Sequence, residues 1–488
     1  MRFQRLLFVP LLFLAAGALA QPPDRSQIPA PGPAPELRLP GIQKRALSNG
    51  LPVWLVEQHE VPVVQVSLVV AAGGDADPAG KPGLASMTAA MLDEGAGERS
   101  ALAIADAVDY LGASLATTGG FDASAVRLWV PVARLADALP LMADVATRPA
   151  FPAAELERLR KERLTAMLQA RDDPAQVAGL SFPRLVFGSH RYGTSLQGTP
   201  ASVEAFTPGD LQAFYAGFYR PDRSTLLLVG DVRPDEAMRL LESAFGGWKP
   251  EGAAAPLPAI QDAAPAKARQ VYIVDKPGAP QSQIVIGGVG VPRSTPDYFP
   301  LQVLNTLLGG SFTSRLNQNL REEHGYTYGA GSAFDMRLAA GPFLARAGVQ
   351  TEVTAEALTE FFKELNGVLE PIPADELARA KNYVALGFPG EFETTGDIAA
   401  RLEEAVVYRL PEDYFSQYVE RIQAVTAADV QRVARRYVTP GRFTVVVVGD
   451  RKTIEAPVRA LKLGPVTVLS VEEAVGGDVA GTRAKGKR

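Results

Sequence analysis

Histidine and cysteine supply many of the metal-binding and nucleophilic side chains of enzymes, and this chain is poor in both. It has no cysteine, which excludes disulfides, thiolate metal sites and a cysteine nucleophile. Its three histidines are His59, His190 and His324, which lie 131 and 134 residues apart. No two of them can share a helical turn, so the sequence predicts that this chain by itself holds no metal ion. We expect all three to be structural or solvent-facing.

The composition is typical of a folded, mildly acidic protein. Of the 488 residues, 47% are hydrophobic and 21% are charged, and the formal net charge is −5. This balance excludes a chain that is disordered throughout. It also argues against a nucleic-acid binder, which would be basic overall.

The first twenty residues predict export. Two arginines precede an apolar run at 6–16, and a small-x-small triplet follows at 18–20. We interpret residues 1–20 as a signal peptide cleaved before Gln21, the alternative being an N-terminal anchor. No later segment is apolar enough to span a bilayer. We therefore expect a periplasmic protein with no membrane span after cleavage.

An internal repeat organises the remainder of the chain. Residues 207–231 match residues 426–450 without a gap at an offset of 219, and both segments end in a buried strand followed by Gly-Asp. Two shorter echoes, at 152–159 and 62–68, recur at offsets of 221 and 218. Thr207 and Thr426 are predicted to be N-caps of equivalent amphipathic helices. The sequence therefore predicts two copies of one domain.

Within each copy, predicted strands come first, long helices follow and a final strand closes the unit. This segregation predicts an α+β fold in which two homologous domains each pack a mainly antiparallel sheet against helices. A Pro/Ala-rich stretch without periodicity separates the copies. The predicted segments are a signal peptide (1–20), a Pro-rich tail (21–43), an N-terminal domain (44–249), a linker (250–268), a C-terminal domain (269–465) and a C-terminal tail (466–488).

This order of elements resembles the M16 family of zinc metallopeptidases, which includes pitrilysin, insulysin and mitochondrial processing peptidase. The similarity covers roughly residues 44–465 and is most recognisable at 47–92 and in SRLNQNLREEHGYTYGAGSAF at 314–334. Active members bind zinc through an H-x-x-E-H helix that follows a G-L-A stretch, and a carboxylate from a second helix completes the site. The resemblance implies the M16 fold and a subunit that forms dimers.

The four positions that bind zinc or act as the general base in active members hold other types of residue in this chain. After Gly-Leu-Ala, Ser86 and Ala90 stand at the two histidine positions, and Ala89 stands at the general-base position. The carboxylate position falls within residues 165–167, none of which is acidic. Serine and alanine cannot replace two imidazoles and a carboxylate. Asp93 and Glu94 are close in sequence, but carboxylates at a helix end more often face solvent than bind a metal.

A second family motif is retained. In the family, an arginine and a tyrosine seven residues apart reach toward the zinc site and bind the substrate backbone, and Arg321 and Tyr328 have this spacing. A guanidinium and a hydroxyl can stabilise negative charge on a carbonyl oxygen. The alternative is that Arg321 complements a helix dipole and Tyr328 is an ordinary strand aromatic. Tyr326 is a rival for the tyrosine role, but its spacing from the arginine is five.

The resemblance implies that this chain, inactive alone, is the substrate-binding subunit of a heterodimeric peptidase. Its partner would carry H-x-x-E-H and the zinc, and the substrates would be unfolded or short peptides added to a sheet edge. Two other functions stay open: a catalytically inactive structural scaffold, or a peptide-binding protein that acts alone.

Overall fold

Two six-stranded sheets organise the molecule. The computed structural model describes residues 32, 41–250, 252–257 and 259–476. The predicted signal peptide and most of the Pro-rich tail lie outside these residues. The strands of the first half are β1 Gln43–Ala46, β2 Pro52–Glu57, β3 Val63–Val70, β4 Gly95–Ala96, β5 Arg99–Ser100, β6 Ser114–Gly119, β7 Ser124–Pro131 and β8 Ser224–Gly230. Those of the second half are β9 Gln270–Asp275, β10 Gln281–Val289, β11 Thr327–Phe334, β12 Pro342–Gln350, β13 Thr444–Gly449 and β14 Val466–Leu469.

Helices account for most of the remaining described chain. The first half contains α1 Leu84–Ala90, α2 Ala101–Tyr110, α3 Leu135–Thr147, α4 Ala153–Ala170, α5 Pro174–Phe187, α6 Pro200–Ala205, α7 Pro208–Phe218 and α8 Pro234–Phe245. The second half contains α9 Tyr298–Asn305, α10 Arg315–Asn317, α11 Thr354–Gly367, α12 Ala374–Gly387, α13 Thr395–Tyr408, α14 Tyr418–Ala424, α15 Ala427–Tyr437, α16 Arg451–Ala460 and α17 Val471–Val475.

Five strands of each sheet share one topology, which confirms the two homologous α+β domains. The sixth strands differ, because β1 begins its half and is antiparallel to β2, whereas β14 ends its half and is parallel to β9. The strand order is β1-β2-β8-β3-β7-β6 in the first sheet and β11-β12-β10-β13-β9-β14 in the second. In both, the late strand (β8 or β13) pairs antiparallel with β3 or β10 and parallel with β2 or β9. The predicted caps are present as well: Thr207 and Thr426 each accept a hydrogen bond from the third amide of the helix, and an aspartate completes a capping box.

One face of each sheet packs against helices of its own half and forms the main core of that half. The opposite face is covered by a helix from the other half. Helix α5 packs on the second sheet through Val177, Ala178 and Phe182. Helix α13 packs on the first sheet through Ile398, Ala399 and Leu402. Both ends of these helices differ by 221 residues, so α5 and α13 are repeat equivalents that are exchanged between the halves.

Polar contacts reinforce this exchange. Asp122 accepts hydrogen bonds from the Tyr192 hydroxyl (3.2 Å) in its own half and from the Tyr408 hydroxyl (3.0 Å) in the other. Its second oxygen also accepts the Leu338 amide at 3.1 Å. Because Asp122 is buried, each of these bonds replaces water that the carboxylate has lost.

The end of the second half differs from the prediction. Residues 466–476, which the sequence assigned to the C-terminal tail, form β14 and α17. Strand β14 extends the second sheet in parallel with β9, and Leu469, Val471 and Ala474 are buried against α5. A four-residue strand and a five-residue helix are too short to give a clear hydrophobic period. The described residues of the predicted linker contain no helix or strand.

Candidate functional site

Helix α1 carries the three degenerate zinc positions, and a buried aspartate fixes its start. Gly83 precedes the helix with φ of 89°, a conformation that suits glycine. Asp77 accepts the amides of Gly83 (2.6 Å) and Ala85 (2.7 Å), and burial raises the pKa of its carboxyl above the usual value. Leu84 and Met87 turn into the core. These hydrogen bonds and core contacts fix the position of helix α1, although none of its three degenerate positions carries a metal-binding side chain.

The three side chains have ordinary packing roles. Ser86 is buried, and its hydroxyl donates to the Leu196 carbonyl at 2.7 Å. Ala89 is buried in the same helix, and Ala90 lines a neighbouring cavity. The edge strand β6 lies directly against α1, because a Cβ atom added at Gly119 would come within 2.9 Å of the Ser86 Cα.

An arginine from α4 lies against this helix. Arg163 donates from Nη1 to the Ser86 hydroxyl at 3.0 Å and to the Gly83 carbonyl at 3.4 Å. Burial lowers the pKa of its guanidinium to about 10, against an opposing influence of Asp77. A pKa of about 10 still leaves the guanidinium charged at neutral pH. A positive charge therefore lies beside Ser86, where it opposes the approach of a divalent cation.

The neighbouring carboxylates are used elsewhere. Asp93 accepts a hydrogen bond from the Thr117 hydroxyl at 3.3 Å, and burial raises the pKa of its carboxyl. Glu94 forms an ion pair with Arg158. Throughout the part of the chain that the structure describes, no three acidic or histidine side chains are placed to hold a metal ion. The residues present thus do not fit the zinc that the motif would bind.

The histidines are also engaged in local contacts. His59 pairs with Asp231 (2.7 Å) and Glu57, and the hydrogen bond to Asp231 raises the pKa of its ring. His190 hydrogen-bonds the Gln261 carbonyl at 2.7 Å. The ring of His324 stacks on that of Tyr326 with centroids 4.9 Å apart.

Arg321 and Tyr328 flank a helix-to-strand corner. Arg321 lies in a π-helical segment at Gln318–Glu323 that continues α10, and Gly325 ends it with φ of 65°. The guanidinium carbon of Arg321 lies 4.5 Å from the centre of the Phe312 ring, and its Nε lies 3.4 Å from Glu322 Oε1. The π-helical turn at Arg321 was not predicted from the sequence.

Tyr328 lies in a β-bulge of β11, an edge strand of the second sheet. Its register with β12 shifts between Thr327 and Ala330, so two residues of β11 oppose one of β12. Bulges redirect side chains, and Tyr328 is 90% exposed. Phe312 is 59% exposed beside Arg321. None of the described contacts joins Arg321 or Tyr328 to α1 of the same chain.

Family models match two long parts of the sequence. The model described as insulinase (peptidase family M16) matches residues 53–199, and the model described as peptidase M16 inactive domain matches residues 205–384. Together they cover well over half of the chain. The chain belongs to peptidase family M16.

Relatives of this M16 chain include proteins named as zinc proteases and a protein named as a non-peptidase. It is 26% identical to an uncharacterized zinc protease of Mycobacterium leprae, over 87% of this chain and 96% of the relative. It is 24% identical to the non-peptidase homolog YmxG of Helicobacter pylori, over 84% of this chain and 96% of the relative. The crystal structure of a peptidase M16 inactive domain from Pseudomonas fluorescens superposes with a TM-score of 0.78 at 28% identity, covering 84% of this chain and 98% of that chain.

The M16 chain is thus an inactive, M16-like protein.

Arg163 is the residue beside its degenerate zinc positions that the sequence analysis did not identify. The predicted carboxylate position, 165–167, lies one turn further along α4, where Ala166 and Met167 face the cavity. A sequence signal existed, because Arg163 is a cation within an otherwise largely apolar stripe of α4. Its contact with Ser86, however, depends on how α1 and α4 pack. Among the described residues, no helix is long and apolar enough to cross a bilayer.

Proposed function

We propose that this chain is the non-catalytic, substrate-binding subunit of a periplasmic, heterodimeric M16 zinc metallopeptidase that acts on peptides. The observation that carries the proposal is a contrast between its two motifs. Small side chains occupy the zinc positions of α1, and the positive charge of Arg163 lies beside them. Tyr328, in contrast, is almost fully exposed. The non-peptidase name of the Helicobacter pylori relative agrees with the first half of this contrast.

The partner in this proposal is a second M16 chain that retains H-x-x-E-H and holds the zinc. Arg321 and Tyr328 of the present chain approach the peptide bound there. The guanidinium offers a fixed fork of donors, and the tyrosine offers a hydroxyl, so both can bind the substrate carbonyl as negative charge develops on its oxygen. The cation–π contact with Phe312 holds the guanidinium near the surface without using its N–H donors.

The substrates proposed are unfolded or short extended peptides. Strands β6 and β11 end their sheets in the described part of the molecule, so each has an edge to which an extended segment can add by backbone hydrogen bonds. Tyr328 projects from one of these edges. The signal peptide predicted at residues 1–20 supports the proposed export to the periplasm.

The test mixes this chain with an exported M16 chain of the same genome that retains H-x-x-E-H and measures cleavage of a quenched fluorescent peptide. Arg321→Ala combined with Tyr328→Phe should lower kcat by at least about tenfold while the complex still assembles on size exclusion. The matched control is Arg379→Ala with Tyr383→Phe, an exposed pair on α12 that should leave the rate unchanged.

Two results would overturn the proposal. Wild-type rates in the Arg321/Tyr328 double variant would show that the pair is vestigial and would favour a structural scaffold. Chelator-sensitive cleavage by this chain alone, with zinc bound to it, would show that a metal site exists despite Ser86, Ala89 and Ala90.

A further inference from the structure

A cavity of about 500 Å³ opens beside the degenerate zinc positions. Its walls are α4, α5, the loop at 193–200 and the C-terminal end of α17. One stripe of α4 faces it, with Leu159, Arg163, Ala166, Met167 and Ala170 at helical spacing. The volume lies within the range of sites that bind small molecules, and the walls are largely apolar.

Basic side chains line this cavity. They are Arg163, Arg171 and Arg184, of which Arg184 is engaged in a contact of its own, and the acidic residue of the described lining, Glu162, pairs with Arg158 at 2.9 Å. Among the described residues, no carboxylate lies within ion-pair distance of Arg163, whose contacts are a hydroxyl and carbonyl oxygens of α1 and its start. The Nε atom of Arg163 makes no hydrogen bond to any residue that the structure describes.

A guanidinium that is largely withdrawn from water is stabilised by an anion, and a carboxylate matches its fork of donors. The apolar stripe of α4 requires an anion that carries apolar groups. The loop at 193–200 adds hydroxyl and amide groups, including Thr194, Ser195 and Gln197, which can bond a peptide backbone.

We propose that this cavity binds the C-terminal end of a short apolar peptide, with Arg163 as the partner of its terminal carboxylate. The site uses Arg163, the cation beside the degenerate zinc positions, to recognise a peptide end. It is separate from Arg321 and Tyr328 and needs no partner subunit, so its failure and the failure of the proposed heterodimer are distinguishable.

The test measures fluorescence anisotropy of a fluorescein-labelled tetrapeptide of leucine and alanine with the purified chain. The peptide is compared as its C-terminal acid and as its C-terminal amide. The acid should bind at least about tenfold more tightly, because a hydrogen bond to a charged group is lost in the amide. Arg163→Met keeps the length of the side chain and should bring the two affinities together. Arg134→Met, an exposed arginine remote in sequence, is the matched control and should keep the difference.

A second variant protects the test against misfolding of the first. Ala166→Phe fills the cavity while keeping the Arg163 guanidinium in the chain, and it should weaken binding of the acid to the same extent, while circular dichroism and the melting temperature stay near those of the wild type. Equal affinity for acid and amide would overturn the proposal, as would an acid preference that survives Arg163→Met. Binding of dodecanoate but not of the peptide acid would overturn the assignment to peptides.

Discussion

The carboxyl group of Asp75 gives the protein a pH-dependent stability whose size can be worked out. Asp75 lies in the turn before α1 and accepts a hydrogen bond from the Gly73 amide at 3.1 Å. Burial is the main cause that raises the pKa of this carboxyl, to about 6 from its ordinary 3.8, with a smaller contribution from Asp122. The folded state therefore holds the proton more tightly than the unfolded state does.

The sign and the magnitude follow from linkage. Below pH 3.8 the carboxyl is protonated in both states, and its contribution to stability is fully present. As the pH rises through about 6, this contribution is lost, because ionisation is easier in the unfolded chain. The difference between a pKa of about 6 in the folded state and 3.8 in the unfolded state corresponds to about 3 kcal/mol in the free energy of unfolding. Asp77, Asp93 and Asp122 also have raised pKa values, so the whole protein should show a steeper loss.

Asp75→Asn isolates this contribution. The amide resembles the protonated carboxyl and can still accept from Gly73. Urea unfolding followed by tryptophan fluorescence should show similar midpoints for the two proteins near pH 4. At pH 7 the variant should be more stable by up to about 3 kcal/mol. If the stabilities of the wild type and the variant change in parallel between pH 4 and pH 7, the reasoning is refuted.

Two further changes test the fold. Asp122→Ala removes the acceptor of the Tyr192 and Tyr408 hydroxyls across the exchanged helices, and it should lower the free energy of unfolding by at least about 2 kcal/mol. A smaller change in urea midpoint would show that water replaces the carboxylate there. Thr207→Ala and Thr426→Ala each remove one capping box and should each cost about 1 kcal/mol in thermal or urea unfolding, and markedly unequal costs would contradict their equivalence.

The repeat was readable from the sequence because it lies in residues with strong local preferences. Thr207 and Thr426 are followed three residues later by aspartate, and LLLV and VVVV runs follow at equal distances. Caps and buried strands are encoded within a few residues of one another. The loss of the zinc ligands was also readable from a short stretch of sequence, because Ser86, Ala89 and Ala90 lie within one short helix.

Features that depend on contacts between distant segments were not readable. The apolar residues of α5 and α13 predict buried helices, but they do not show that each helix covers the sheet of the other half. Arg163 is 77 residues from Ser86, so its hydrogen bond to that hydroxyl follows from the packing of α4 on α1. The π-helical turn at Arg321 and the bulge at Tyr328 similarly arise from the fit of a helix end to a sheet edge.

The exchange of α5 and α13 has a mechanical consequence. Each half covers an apolar sheet face with a helix of the other half, so pulling the halves apart would expose four apolar surfaces to water at once. Separating the two halves would therefore cost the burial of both sheet faces, so we expect the halves to move as one body rather than to open about the segment that connects them.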